Sequence, residues 1–173
     1  MPTDKAILEQ WLARALESYS AETAHFLATE KDPFRNPVGQ TLRANLAVLL
    51  EEVLGDGSAA APVMDSARVR SALENIARIR AVQDATASEA VGFVFLLRPI
   101  VRQRIPEHDP ALLHERIDRL ALMAVEEYVR CRELLAELRV QESQRALHVP
   151  SAMARRSTPA HAKPACALDP DRS

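Results

Sequence analysis

The chain has 173 residues, of which 47% are hydrophobic and only 4% aromatic, and its formal net charge at pH 7 is −2. This length suits one domain with extensions, or at most two small domains. The scarcity of aromatic residues and glycine argues against a sheet-rich fold, whereas abundant alanine, leucine, glutamate and arginine favour helices. A net charge so close to zero gives no strong field for binding nucleic acid or an anionic membrane.

The cysteines and the N-terminus bear on the compartment. Cys131 and Cys166 are isolated, so they indicate neither a disulfide framework nor a thiol zinc site. The first residues lack the basic and apolar segments of a signal peptide. No apolar run approaches the ~20 residues that a membrane-spanning helix needs. We therefore expect a cytoplasmic protein without a membrane span.

The first predicted element is a long amphipathic helix over Asp4–Thr29, because apolar residues recur there at helical spacing. Two prolines then break the pattern, and the connection ends at Asn36. We expect Phe34 to fold back onto the core as an apolar anchor of this loop. Asn36 can cap the next helix, with Pro37 as its first residue, since a proline at that position loses only an N–H that is free anyway.

The second predicted helix runs from Pro37 to Leu54 and ends at Gly55. The small residues of Gly55–Pro62 predict a flexible linker. A third helix is predicted over Ser66–Gln83. Its apolar stripe consists of Val69, Leu73, Ile76 and Ile79.

A polar cluster of Arg80, Gln83 and Asp84 lies at the edge of that stripe and in the turn that follows. Two interpretations are open. In the first, these side chains tie down the turn between two helices. In the second, they line a small polar pocket or a partner-docking surface.

The most apolar stretch, Ala90–Leu97, is preceded by Thr86 and Glu89 at the spacing of a capping box. The run has no polar face and predicts a central core helix, although short apolar runs also suit a buried strand. Gly92 suggests that another helix crosses closely. Pro99 predicts that the helix kinks or ends just before it.

The last predicted helix runs from Pro110 to about Leu147. Its apolar positions at three- and four-residue steps are Leu113, Ile117, Leu120, Ala124, Tyr128, Cys131, Leu135 and Leu138. The second half of this stripe either forms a two-stranded coiled coil or packs back on the same domain. Tyr128, Leu135 and Leu138 are therefore the candidate partner-interface residues. Four prolines beyond the helix predict a disordered tail, which divides the chain into 1–147 and 148–173.

No catalytic, cofactor or metal site is predicted. The sequence lacks nucleotide-binding and zinc-protease motifs, and no local Ser–His or Cys–His set is present. His108 and His114 are six residues apart, which is not the spacing of two ligands on one helix face. A haem would need an axial ligand facing an apolar pocket, and His114 is the histidine on the last helix.

Three segments together carry a family resemblance. They are Asn36–Gly39 followed by Leu42, Ile79–Asp84, and Ser88–Val94. Together they resemble the N-terminal domain of RsbRD-type RsbT co-antagonists, over about Leu8–Tyr128. The resemblance implies a sensory or regulatory module with a globin-like bundle that lacks haem. In that family the domain is usually joined to an output domain, often of the STAS or kinase type. Here we expect a module without one.

The sequence thus predicts an all-α, globin-like bundle of about five helices with a long C-terminal helix. We expect a non-catalytic cytoplasmic signalling module that acts through protein–protein contacts, as a homodimer or with regulatory proteins of the STAS or kinase type. The polar cluster would couple the core to the last helix. The alternative is a small-molecule or haem sensor with a pocket beside Phe93 and Phe95.

Overall fold

The structure, a computed structural model, describes residues 2–55 and 67–156, and the side chains of 4–55 and 67–146. Within those ranges the chain forms six helices and no strand, which confirms the all-α prediction and the long last helix. The helices are α1 Pro2–Ala15, α2 Ala21–Thr29, α3 Pro37–Leu54, α4 Ala67–Val82, α5 Ala87–Arg104 and α6 Pro110–Arg156.

The chain divides into two compact units, Met1–Leu135 and Ala136–Ser173. The description below concerns the first unit except where the second is named. Of the predicted linker, residues 56–62 lie outside the described residues. Helix α6 continues to Arg156 instead of ending near Leu147, and the predicted tail from residue 157 onward is also outside the described residues.

The predicted single helix over Asp4–Thr29 is wrong, because the chain breaks between α1 and α2. Ser20 caps α2, and its hydroxyl accepts a hydrogen bond from the Thr23 N–H at 3.3 Å. Serine side chains compete for backbone hydrogen bonds and therefore favour helix starts over helix interiors. Apolar periodicity continues across the break, so the pattern alone does not reveal it.

Asn36 joins α2 to α3 through one buried amide group. Its Oδ1 accepts from the Gly39 N–H at 2.8 Å, which confirms the predicted cap of α3. Its Nδ2 donates to the carbonyls of Leu27 at 3.0 Å and Glu30 at 2.9 Å, at the end of α2. Gly39 leaves room for this group, since a Cβ there would lie 2.3 Å from Nδ2 and 2.4 Å from the Leu27 oxygen.

The expectation that Phe34 folds back onto the core is wrong. Its side chain is 96% exposed. The Phe34 N–H donates to Oδ1 of Asp32 at 2.9 Å, and the carbonyl of Asp32 accepts from the N–H of Asn36 at 2.9 Å. In this tight turn Asn36 takes the buried position, and Phe34 is directed to solvent.

The core lies among α1, α3, α4, α5 and the first turns of α6. Trp11 pins α1 to α5, because its indole N–H donates to the Phe93 carbonyl at 2.7 Å and the two rings stack at 6.0 Å. The largest fully buried side chains are Trp11, Ile7, Leu12, Leu16, Leu46, Leu49, Leu73, Leu97, Ile100, Leu113, Ile117 and Leu120.

Helix α5 begins as predicted, with Thr86 and Glu89 forming a capping box. Of the two outcomes predicted at Pro99, a kink or an end, the end is wrong, since the helix continues to Arg104. Proline removes the hydrogen bond to the carbonyl four residues earlier, which belongs to Phe95. Pro99 and Phe95 are both exposed, so water can replace the lost bond.

The apolar run of α5 had suggested a helix buried on all sides, but one side of it is exposed. Phe95 is 46% exposed. A Cβ added to Gly92 would find no atom within 4 Å, so the close helix crossing expected there is also wrong. One side of α5 is therefore open.

Helix α6 begins at the predicted cap, where Oδ1 of Asp109 accepts from the Ala111 N–H at 2.9 Å. It also buries one charge. The carboxylate of Glu127, only 1% exposed, accepts from Arg70 of α4 at 3.2 Å and from Arg130 at 3.1 Å. A buried carboxylate needs such partners to offset its lost hydration.

Candidate functional site

Arg80 of the polar cluster is buried and connects α4 to the end of α1. One guanidinium nitrogen donates to the Ala15 carbonyl at 2.7 Å, and another donates to the Ser18 hydroxyl at 2.8 Å. The guanidinium also lies over the Tyr19 ring, 4.8 Å from its centre. Because Ala15 ends α1, the positive charge stabilises the negative end of that helix dipole.

Gln83 binds the same turn from outside, since its Oε1 accepts from the Tyr19 hydroxyl at 2.7 Å. Arg80 and Gln83 therefore both hold the α1–α2 turn, Arg80 at the face of the Tyr19 ring and Gln83 at its hydroxyl. These contacts agree with the interpretation in which the cluster ties down a turn. Two turns are involved: the α4–α5 turn, which contains Gln83, and the α1–α2 turn, which the sequence did not reveal.

Asp84 connects the α4–α5 turn to α6. Its φ of 53° is in the left-handed region, which aspartate tolerates better than most residues. Its Oδ1 accepts from Arg132 at 2.8 Å. Tyr128 makes a second connection one turn earlier on α6, where its hydroxyl donates to the Ala85 carbonyl.

The predicted interface residues lie in different surroundings. Tyr128 is buried, and Leu135 packs partly buried on a small cluster formed by Ala77, Ala81, Ala90, Tyr128 and Cys131. Burial raises the pKa of the Cys131 thiol, which disfavours the reactive thiolate. Leu138, in the second unit, is 45% exposed.

The capping box completes the α4–α5 turn. The N–H and the hydroxyl of Thr86 each donate to Glu89 at 2.8 Å, and these bonds hold the pKa of Glu89 below its ordinary value. The α4–α5 turn is thus bonded to the start of α5, to the α1–α2 turn and to α6. The arrangement suits mechanical coupling, and it pairs no nucleophile with a base.

A second surface, which the sequence analysis missed, is exposed on α5 and α6. We call Phe95, Leu122, Val125 and Val129 the α5–α6 face; each is at least 42% exposed, and Leu122 reaches 68%. Arg98 lies over the Phe95 ring at 5.9 Å and donates to Asp118 at 2.6 Å. On α6 the three aliphatic residues follow Asp118 at four, seven and eleven residues, on one side of the helix. That spacing was visible in the sequence beside the buried stripe.

A cleft lies at the opposite end of α3 from Asn36, between the start of α1 and the last turns of α3. Its volume is about 480 Å³. Its lining residues are Asp4, Lys5, Leu8, Ala47, Leu50, Glu51, Leu54 and Gly55. Glu51 also pairs with Arg68 at 2.7 Å.

The residues considered for ligand binding are separated. Phe93 is buried against Trp11, whereas Phe95 is half-exposed. Nε2 of His114 is buried without a hydrogen-bond partner among the described residues. In that same part of the chain, no three His, Cys, Asp or Glu side chains are placed to hold a metal ion. None of the described helices is long and apolar enough to cross a membrane.

These features define a helical domain whose polar side chains connect elements to one another, and whose apolar side chains also cover part of the surface. A family model described as the RsbT co-antagonist protein rsbRD N-terminal domain matches residues 5–143. The chain belongs to this family, whose members are regulatory domains of stress signalling. No curated protein and no solved structure matches the chain.

Proposed function

We propose that this chain is a non-catalytic, cytoplasmic regulatory module that acts in stress signalling through protein–protein contacts. Family membership supports the signalling role. The observation that carries the contact mechanism is the α5–α6 face, because exposed apolar side chains in a row on one side of a helix mark an interaction surface. The globin-like arrangement and the division into 1–147 and 148–173 stay predictions.

The partner at this face is a second copy of the chain. A two-fold axis near Val125 would pair the α6 helices antiparallel, with Leu122 opposite Val129. The exposed Arg119 would then lie opposite the exposed Glu133 of the other copy. Such a surface is self-complementary, as a two-fold interface requires.

The predicted interface residues have two roles in this proposal. Leu138 is exposed and stays a predicted partner contact apart from the α5–α6 face, since it lies in the second unit. Tyr128 and Leu135 position α6 through their packing and the hydrogen bond to Ala85. Regulatory proteins of the STAS or kinase type would bind the same helix or the dimer that it forms.

The polar cluster would transmit the signal. A change at the α1–α2 turn reaches α4 through Arg80 and Gln83, and it reaches α6 through the bond between Asp84 and Arg132. A small shift of packed helices is an established kind of switching motion. Here it would alter which apolar side chains α6 presents.

Light scattering coupled to gel filtration tests the dimer. We expect the wild type to be dimeric and Leu122→Glu to be monomeric, because the substitution places two charges in the paired face. Val82→Glu is the matched control, since Val82 is 63% exposed but lies on α4. An unchanged mass for Leu122→Glu would show that this face is not the interface.

A haem or small-molecule sensor is the second candidate, and the buried, unpartnered Nε2 of His114 favours it. A neutral imidazole nitrogen is a common ligand of haem iron. This candidate predicts a Soret band on haem addition, and a band lost in His114→Ala. A haem titration that changes neither the absorption spectrum nor the Tm would eliminate the haem version.

A further inference from the structure

Gly92 lies in the middle of α5, and its own chain makes no use of the missing side chain. None of the described glycines has a positive φ, so the backbone does not require glycine there. A Cβ at this position would find no atom within 4 Å, so no neighbouring helix requires glycine either. Glycine weakens a helix relative to alanine. Its presence leaves an opening on the surface of α5 that the single chain does not fill.

The opening lies beside the α5–α6 face. Ser88, Phe95 and Pro99 share the side of α5 on which Gly92 lies, because they are separated from it by whole turns or nearly so, and all three are exposed. Their steps along the helix are four, three and four residues. On α6 the α5–α6 face, together with Asp118, repeats the same steps. The two helices thus carry matching exposed stripes.

Two hydrogen bonds align α5 with α6. Arg98, near the end of α5, donates to Asp118 at 2.6 Å, and the Tyr128 hydroxyl donates to the carbonyl of Ala85, just before α5 begins. The two helices are therefore antiparallel. Gly92 is about midway between the two bonds on α5, which places it level with the middle of the α6 segment between them.

An aliphatic side chain of a second copy can fill the opening. The middle of that α6 segment contains Leu122, which lies opposite Val129 of the second copy in the antiparallel pairing described above. Val129, which is 46% exposed, therefore stands at the level of Gly92 of the other copy. A glycine that receives a side chain from a facing helix lets the two helices approach closely, as a hole receives a knob.

Unpaired charges favour a second copy as the occupant. Arg119 and Glu133 are exposed, and within the described residues the side chain of neither has an ion-pair or hydrogen-bond partner in its own chain. The antiparallel pairing brings Arg119 of each copy opposite Glu133 of the other, at both ends of the face. Opposite charges placed in this way favour this partner and this register over others.

We propose that Val129 of each copy inserts beside Gly92 of the other, so that α5 as well as α6 forms the dimer interface. The inference rests on the α5–α6 dimer proposed above, and it adds the residue that decides how closely the two copies approach. Any side chain at Gly92 would occupy the place of Val129 from the other copy.

Gly92→Val tests the contact by sedimentation equilibrium. The added side chain enters open space in a single chain, but in the dimer it collides with Val129 at two symmetry-related places. We expect the Kd of the dimer to rise by about tenfold or more, because overpacked contacts are destabilising. Ala87→Val is the matched control and should leave the Kd unchanged, since Ala87 is an exposed residue on a different side of the same helix.

Mixing Gly92→Val with Val129→Ala shows whether the contact joins two chains. Each variant alone forms a poor dimer, with two collisions in the first and two gaps in the second. A mixed dimer keeps one wild-type contact, and in the other the added valine meets the shortened side chain. Differently tagged chains should therefore form mixed dimers in excess of random pairing, as measured by native mass spectrometry.

The Leu122→Glu background, in which the proposed dimer is removed, checks the single chain. There Gly92→Val should have a Tm no lower than that of Leu122→Glu alone, and a lower Tm would show that the opening is occupied within the chain, which overturns the inference. Random pairing of the mixed variants, or an unchanged Kd for Gly92→Val, also overturns it and leaves the α5–α6 dimer standing. A dimeric Leu122→Glu protein instead removes the dimer at this face, and the inference with it.

Discussion

Replacing Gly39 with alanine tests how the α2–α3 connection is held. The added Cβ would lie 2.3 Å from Nδ2 of Asn36 and 2.4 Å from the Leu27 oxygen, whereas real Cβ contacts almost never fall below 3.0 Å. Neither neighbour yields easily. The Leu27 oxygen is helix backbone, and the Asn36 amide is buried and bonded at both of its polar atoms.

The cost follows from what must break. If the Asn36 amide moves, α3 loses a cap that is worth about 1 kcal/mol. The displaced amide and its carbonyl partners are left buried without hydrogen bonds, which costs about 1–3 kcal/mol for each group affected. Alanine returns up to about 1 kcal/mol of helix propensity. We therefore expect a net loss of about 2–4 kcal/mol.

Gly92→Ala is the matched control, because it makes the same chemical change within a helix. No atom lies within 4 Å of the position that its Cβ would occupy. The substitution should therefore stabilise the protein by about 1 kcal/mol through helix propensity alone. Two glycines that look alike in sequence are thus expected to respond with opposite signs.

Thermal and urea unfolding, followed by far-UV circular dichroism, measure both effects. For a chain of this size we expect Tm to fall by about 5–15 °C for Gly39→Ala and to rise by about 2–4 °C for Gly92→Ala. A Gly39→Ala protein as stable as the wild type would refute the account of the Asn36 clamp. A Gly92→Ala protein that loses stability as a monomer would show that Gly92 packs against a neighbour in its own chain and does not face open space.

Three further predictions concern the polar cluster and its surroundings. Arg80→Met should lower stability by about 2–4 kcal/mol in urea unfolding, because the buried Ala15 carbonyl loses a charged donor; a neutral result would contradict the contacts described. Tyr128→Phe should cost about 0.5–1.5 kcal/mol by removing the bond to Ala85, and a larger loss would mean that the ring has moved. Since the pKa of Glu89 is lowered on folding, its stabilisation is present above the unfolded pKa of about 4.3 and is lost as pH falls through the folded pKa. Glu89→Gln removes the titrating carboxylate and should flatten that acid-side loss in a pH series, and an unchanged slope would rule out Glu89 as its cause.

Local signals in the sequence predicted most of the helix starts. Asn36, Thr86 and Asp109 each stand at a start because capping chemistry acts over three or four residues, and it is therefore visible in the order of residues. The break at Ser20 was missed, since apolar spacing continues through it and Arg80, from a distant helix, takes the Ala15 carbonyl.

The polar cluster was identified from sequence, but its partners were not. Arg80 and Gln83 bind the α1–α2 turn and Asp84 binds α6, at separations of 48 to 65 residues along the chain.

The order of residues alone established the helical class, the caps at Asn36, Thr86 and Asp109, and the family, since each depends on short-range patterns. The tertiary structure decided which apolar residues are buried. Tyr128 is inside and Leu122 outside, although both are apolar residues on one long helix, because only the neighbouring helices determine which side of α6 is covered. Phe34 is exposed for the same kind of reason, since Asn36 occupies the buried position that an aromatic anchor would have taken.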